Sequence, residues 1–330
     1  HFAAKLQKDL NVPVGIILCY KGGTPVESWM SEETLKKCGE YDSVWDFFNK
    51  RVPDNYQNAY EKYLAYSKEY KEANVETQQT LEKPVEPYGW RNYKRPTGLY
   101  ELMLKPLIPY TVKGFIWYQG EGNAARAKQY QTLFPALIEE WREEFSAPKA
   151  PFIFAQLPIY EHPNFKYAAW AELRESQLLT SQTVENTAMA VILDAGDKND
   201  LHPTDKFPVG QRMALAAENI AYKKNVVSRS PETLHIMENG NRIILSFSIF
   251  GSEGLALSGN CAELNGFEIV LEDDSVVAAK AVLLDENKIE IYCNDINQVK
   301  QIRYGWANFF EPCLANKEGL YASPFRMNIE

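Results

Sequence analysis

The 330-residue sequence is poor in histidine and cysteine, with four of the first and five of the second. No C-x-x-C pair and no H-E-x-x-H segment occurs, so structural zinc and thioredoxin-like redox chemistry have no support, and no metal or cofactor is expected. Cys19, Cys38, Cys261, Cys293 and Cys313 are an odd set, too sparse for a disulfide framework, although a single bridge stays open. There is no N-x-[ST] sequon, and no apolar run reaches the roughly 18 residues a membrane helix needs. A basic face is also missing: 35 basic against 44 acidic residues leave a net charge of −9, which argues against nucleic acid as a partner. What is present is ordinary globular composition, 45% hydrophobic and 24% charged, which excludes disorder, collagen and coiled coil. Aromatic content is high at 13%; it suits an aromatic core first and stacking on sugar rings second.

The chain opens on an amphipathic pattern, with Phe2, Ala3, Leu6 and Leu10 on one face, and reads as a helix already under way. No initiator Met, signal peptide or N-cap precedes it, so the sequence reads as a fragment or as a chain cut from a longer precursor. A βα rhythm follows. Short apolar runs at Val12–Leu18, Gly114–Tyr118, Pro151–Ala155 and Ala188–Leu193 read as buried parallel strands. Helical patterns at Ala124–Phe145, Ala168–Gln182 and Asp205–Lys223 lie between and after them, which predicts a parallel sheet covered on both faces.

Two regions break this rhythm. A helical insertion over about residues 38–97 carries Tyr56, Tyr60, Tyr63, Tyr66 and Tyr70 on one stripe of a long helix near Asn55–Leu81. The stripe is expected to pack on the protein, with a cap over the active site as the alternative. Beyond about Val226 the runs Thr233–Ile249, Phe267–Leu271, Val276–Leu284, Lys288–Tyr292 and Gln298–Trp306 predict an antiparallel β-sandwich. The expected division is therefore residues 1–225 and 226–330.

Ligands of open α/β sheets bind beyond the carboxyl ends of the strands. Followed to those ends, the runs lead to Lys21-Gly22-Gly23-Thr24, to Gln119-Gly120-Glu121-Gly122-Asn123, to Gln156, and to Asp200-Leu201-His202-Pro203. Each segment alone reads as a turn or a helix cap; their common position is what points to an active site.

Several of these segments resemble the sialate O-acetylesterase family of SGNH/GDSL hydrolases. The resemblance is carried by Gly114-Phe115-Ile116-Trp117-Tyr118-Gln119-Gly120-Glu121-Gly122-Asn123, by Gly22–Met30 and by Asp200–Pro203. Toward the end of the chain it continues in Arg303–Asn308 and Glu318–Arg326. It implies an SGNH-hydrolase-like, flavodoxin-type three-layer parallel sheet, incomplete at its N-terminus, followed by the sandwich.

The same resemblance implies serine ester hydrolysis of an O-acetylated sugar, with the 9-O-acetyl group of sialic acid favoured and acetylxylan or another glycan as the rival. His202 takes the place of the base, since histidine accepts and returns protons near neutral pH. Asp200 ranks ahead of Glu121 as the acid that orients it. Gly22, Gly23, Gln119 and Asn123 are the expected oxyanion donors. Gln156, Arg174 and Trp29 are the expected substrate contacts, although a structural salt bridge within its helix is the first reading of Arg174 and a core position that of Trp29.

The nucleophile block, G-D-S or G-Q-S-N, is absent; in the family it lies upstream of the opening helix. Ser28, Ser252 and Ser258 do not occupy its place. Gly122, where the family usually has Ser, and Glu101, where Asn is common, are further departures. An N-terminal fragment of the same precursor or a second subunit is expected to cover the open sheet edge. Location is not readable from the chain; the resemblance implies a periplasmic or secreted protein. The reading from a different class is a non-catalytic carbohydrate-binding protein.

Overall fold

The structure, a computed structural model, describes residues 1–161, 168–259 and 261–329. The predicted opening helix is α1, Phe2–Leu10. After α2 (Glu32–Lys37), the insertion contains α3 (Tyr41–Asn49), α4 (Tyr56–Glu72) and α5 (Val75–Thr80). The long helix expected over Asn55–Leu81 is thus two helices, because the Asn74 side chain accepts from Thr77 N–H and starts a new one. The tyrosine stripe packs on its own following segment: Tyr66 Oη donates to Glu82 C=O, and the Tyr56 ring covers Gly89.

Three strands follow: β1 (Phe115–Trp117), β2 (Phe152–Ala155) and β3 (Thr187–Ala190), parallel and in that order. Helices α6 (Ala127–Glu144), α7 (Ala169–Thr183) and α8 (Phe207–Ile220) connect and follow them. The period of two along β2 explains the three layers. Phe152 and Phe154 share a core with Tyr130, Phe134 and Leu173 of α6 and α7, whereas Ile153 and Ala155 share one with Leu6 of α1 and Val209 and Met213 of α8.

One expected strand is not a strand. Residues 12–20 run alongside β1 without entering the sheet, and among the described residues no backbone N–H of residues 12–23 is hydrogen-bonded. Ile16, Ile17 and Leu18 are exposed, at 46%, 44% and 74%. The physical reason is spacing: Pro13–Ile17 and Gly114–Trp117 line a common cavity of about 540 Å³ and do not pair across it. An apolar run with no strand beside it cannot form a ladder.

The C-terminal region is β-rich, as predicted. Its strands are β4 (Glu232–Asn239), β5 (Arg242–Ser248), β6 (Leu255–Leu257), β7 (Phe267–Leu271), β8 (Val276–Ala278), β9 (Ala281–Asp285), β10 (Lys288–Tyr292), β11 (Val299–Tyr304), β12 (Leu314–Asn316) and β13 (Phe325–Asn328). Two antiparallel sheets, β4-β5-β10-β9 and β13-β11-β7-β8, bury one core between them in which Leu245 and Ile291 meet Ile269, Ile302 and Phe325. A Cys261–Cys313 disulfide, left open by the sequence, ties this region together.

Candidate active site

The turn after residues 12–20, the loop after β1 and the loop after β3 meet at one rim. Gln119 Nε2 donates to Thr24 C=O at 3.0 Å, and Asn123 Oδ1 accepts from Val26 N–H at 2.8 Å. A Cβ at Gly122 would lie 2.9 Å from Thr24 O, so the serine common in the family would crowd this contact. Beneath the rim, Glu27 accepts from Asn123 Nδ2 at 2.9 Å and pairs with Arg126. Sequence reading did not single out Glu27 or Arg126, although Glu27 lies within the Gly22–Met30 segment.

Gly22 and Gly23 remain open donors. Among the described residues no acceptor takes either N–H and nothing lies within 4 Å of a Cβ built at either residue, and Gly23 has φ +71°, a conformation glycine adopts without strain. Gln119 and Asn123 sit differently from the expectation that they stabilise an oxyanion. Asn123 is 1% exposed and its amide is engaged by Gln119, Val26 and Glu27; Gln119 is held by Thr24, Asn123 and Tyr130. Both amides fasten one loop to the other.

The loop carrying His202 is built from successive aspartate turns. Asp197 Oδ1 accepts from the N–H groups of Asn199 and Asp200, and Asp200 Oδ1 accepts from His202 N–H at 2.7 Å. Asp200 therefore bonds to the backbone of His202 and not to its ring. The imidazole is exposed and has no hydrogen-bond partner among the described residues. Glu121 is the carboxylate that feels it. Burial pushes the Glu121 carboxyl up, while N–H groups of the 120–121 turn and the charges of His202 and Lys206 pull it down. Lys206 also stands 5.7 Å from the Tyr118 ring, so residues 118–121 and 202–206 share one site. Asp200 thus shapes the turn through the His202 backbone, and the Glu121 carboxyl feels the charge of His202.

The expected substrate contacts lie in the interior. Arg174 is 0% exposed, and its guanidinium donates to the carbonyls of Leu157, Pro158, Ala307 and Asn308. Gln156, also 0% exposed, donates to Arg174 C=O and Ser323 Oγ. Trp29 donates to Thr24 Oγ1 and packs edge-on against Trp117. All three side chains are buried and engaged by protein groups. Ser28 is 0% exposed and its Oγ has no partner, which agrees with setting it aside as a nucleophile.

A parallel sheet between helices, with a histidine loop, a carboxylate and open backbone donors at its carboxyl end, defines a mixed α/β fold followed by a C-terminal region of antiparallel sheets. Comparisons with known proteins agree with it. Residues 88–219 match the family described as carbohydrate esterase, sialic acid-specific acetylesterase. The chain is 31% identical over 248 residues to sialate O-acetylesterase of Mus musculus, covering 70% of this chain and 43% of that one. It is 29% identical to that of Homo sapiens over 248 residues, covering 70% and 40%. The chain thus spans less than half the length of these curated relatives. Among solved structures, a carbohydrate acetylesterase from Xanthomonas citri superposes with a TM-score of 0.78 at 31% identity, over 99% of this chain and 63% of that one. The kinship with the sialate O-acetylesterases that the motifs suggested is thereby shown.

Proposed function

We propose that this protein releases O-acetyl groups from a sugar, with acetylated sialic acid as substrate and its 9-O-acetyl group as the favoured position. The observation that carries the reading is the meeting, at one rim, of His202, the Glu121 carboxylate and the unpaired N–H groups of Gly22 and Gly23. The kinship to carbohydrate acetylesterases supports it. In this reading residues 1–225 form the catalytic unit, and residues 226–330 brace it through Asn308 and Ser323.

The mechanism follows from these groups. A serine hydroxyl attacks the acetyl carbonyl, His202 takes its proton, and Glu121 stabilises the imidazolium that forms. The N–H groups at residues 22–23 stabilise the oxyanion, a role worth about 2.7–4 kcal/mol per donor. His202 then returns the proton to the departing sugar hydroxyl, and water releases acetate by the same path. The serine comes from a strand seated in the cavity beside β1, where Ile116 presents an unpaired edge. The Cys261–Cys313 disulfide supports export to the periplasm or beyond the cell.

The test is acetate release from 9-O-acetyl-N-acetylneuraminic acid by the protein with its preceding sequence. His202→Ala should lower turnover about 10⁴-fold. The 330-residue chain alone should hydrolyse p-nitrophenyl acetate no faster than its His202→Ala variant. Serine-reagent-sensitive turnover by that chain would overturn the assignment of the nucleophile.

A further inference from the structure

A second, smaller pocket opens next to the rim. Its volume is about 50 Å³, and it lies between Gly23 and Gly122 on one side and Phe47, Phe48, Tyr88 and Lys94 on the other. Glu27 and Arg126 form its floor, and each is already paired with the other. Arg126 also bonds Gln129, and its guanidinium lies 3.8 Å from the Phe47 ring. Glu27 has a further partner in Asn123. The charges of the floor therefore cancel.

Lys94 does not cancel. It is half-buried, and among the described residues its Nζ makes no ion pair and no hydrogen bond. Only the faces of Tyr88 and Tyr93 stand near, each 5.9 Å away. The position is built, not loose: Asn92, 4% exposed, accepts from Lys94 N–H at 2.8 Å and donates to the carbonyls of Glu86 and Pro87. A partly desolvated ammonium without a counter-ion is unfavourable on its own, and burial pulls its pKa down. The pocket thus holds one surplus positive charge among aromatic walls, bordering the Gly22–Gly23 turn.

We infer that this pocket is a subsite for the carboxylate of an acidic sugar, and that Lys94 selects acidic over neutral acetylated sugars. The inference rests on the esterase reading and names the group that reads its substrate. The carboxylate supplies the missing counter-charge, while Tyr88 offers an apolar wall to the sugar's C–H edges.

The experiment compares O-acetyl-N-acetylneuraminic acid with its carboxyl methyl ester, which keeps the shape and removes the charge. The protein with its preceding sequence should favour the acid about tenfold in kcat/KM, mainly through KM. Lys94→Gln should abolish that preference and Lys94→Arg should retain most of it, with thermal midpoints unchanged. Equal losses on acid and methyl ester, or a preference surviving in Lys94→Gln, overturn the inference. If no variant hydrolyses either ester, the esterase reading itself fails. The subsite is then read by calorimetry: free N-acetylneuraminic acid should bind wild type more tightly than its methyl ester does, and this difference should vanish in Lys94→Gln. Equal binding of the two by wild type also overturns it.

Discussion

Glu27 and Asn123, ninety-six residues apart, share a buried hydrogen bond of 2.9 Å. Through it the Gly22–Thr24 turn and the Gln119–Asn123 loop become one piece. Glu27 pairs with Arg126 from the same position, so a single carboxylate organises both halves of the rim.

Glu27→Ala leaves the part-buried Arg126 guanidinium without its carboxylate, with only Gln129 and the Phe47 ring beside it. Removing one member of a buried ion pair costs about 3–5 kcal/mol, and a loss of that size is expected in urea unfolding. Glu27→Ala with Arg126→Met should recover part of it, because the uncompensated charge is then gone.

The two acids near His202 should separate cleanly in kinetics. Glu121→Gln should lower kcat of the complete protein far more than Asp200→Asn, whose amide oxygen can still accept from His202 N–H. Comparable losses would return Asp200 to the orienting role.

Glu121 also predicts a pH dependence. Burial raises its carboxyl above the ordinary value of about 4.3, so the carboxylate needed beside His202 is lost on acidification earlier than usual. Activity should therefore fall from a pH above the ordinary carboxylate range. Stability moves the other way. A carboxyl whose folded pKa is raised contributes stability below its unfolded pKa, and this is lost as pH rises through the folded value. Glu121→Gln should thus be more stable than wild type at pH 7.5, with the gain vanishing near pH 4 in matched urea titrations.

Arg174 and Glu175 are adjacent on α7 and should behave very differently. Arg174→Met leaves the carbonyls of Leu157, Pro158, Ala307 and Asn308 without their donor, and should cost on the order of 3 kcal/mol in thermal or urea unfolding. Glu175 pairs with the part-exposed Arg326, so Glu175→Ala should cost less than about 1 kcal/mol.

Much of this protein is legible in the sequence because its signals are local. Apolar runs marked β1, β2 and β3 to within a few residues, and alternation separated the β-rich region from the βα part. The segments ending those runs proved to be the ones that meet at the rim, since a strand end is set by the strand. Tertiary structure decided the rest. Whether Val12–Leu18 becomes a strand depends on a neighbour that no periodicity describes, and beside it lies a cavity. That Asn123, Gln156 and Arg174 turn inward follows from hydrogen-bond partners supplied by residues up to 167 positions away. The pairing of Cys261 with Cys313, the raised carboxyl of Glu121 and the uncompensated Lys94 are likewise sums over distant neighbours. Hydrophobic pattern acts within a turn or a strand, whereas burial, charge balance and hydrogen-bond satisfaction exist only once separate segments have met.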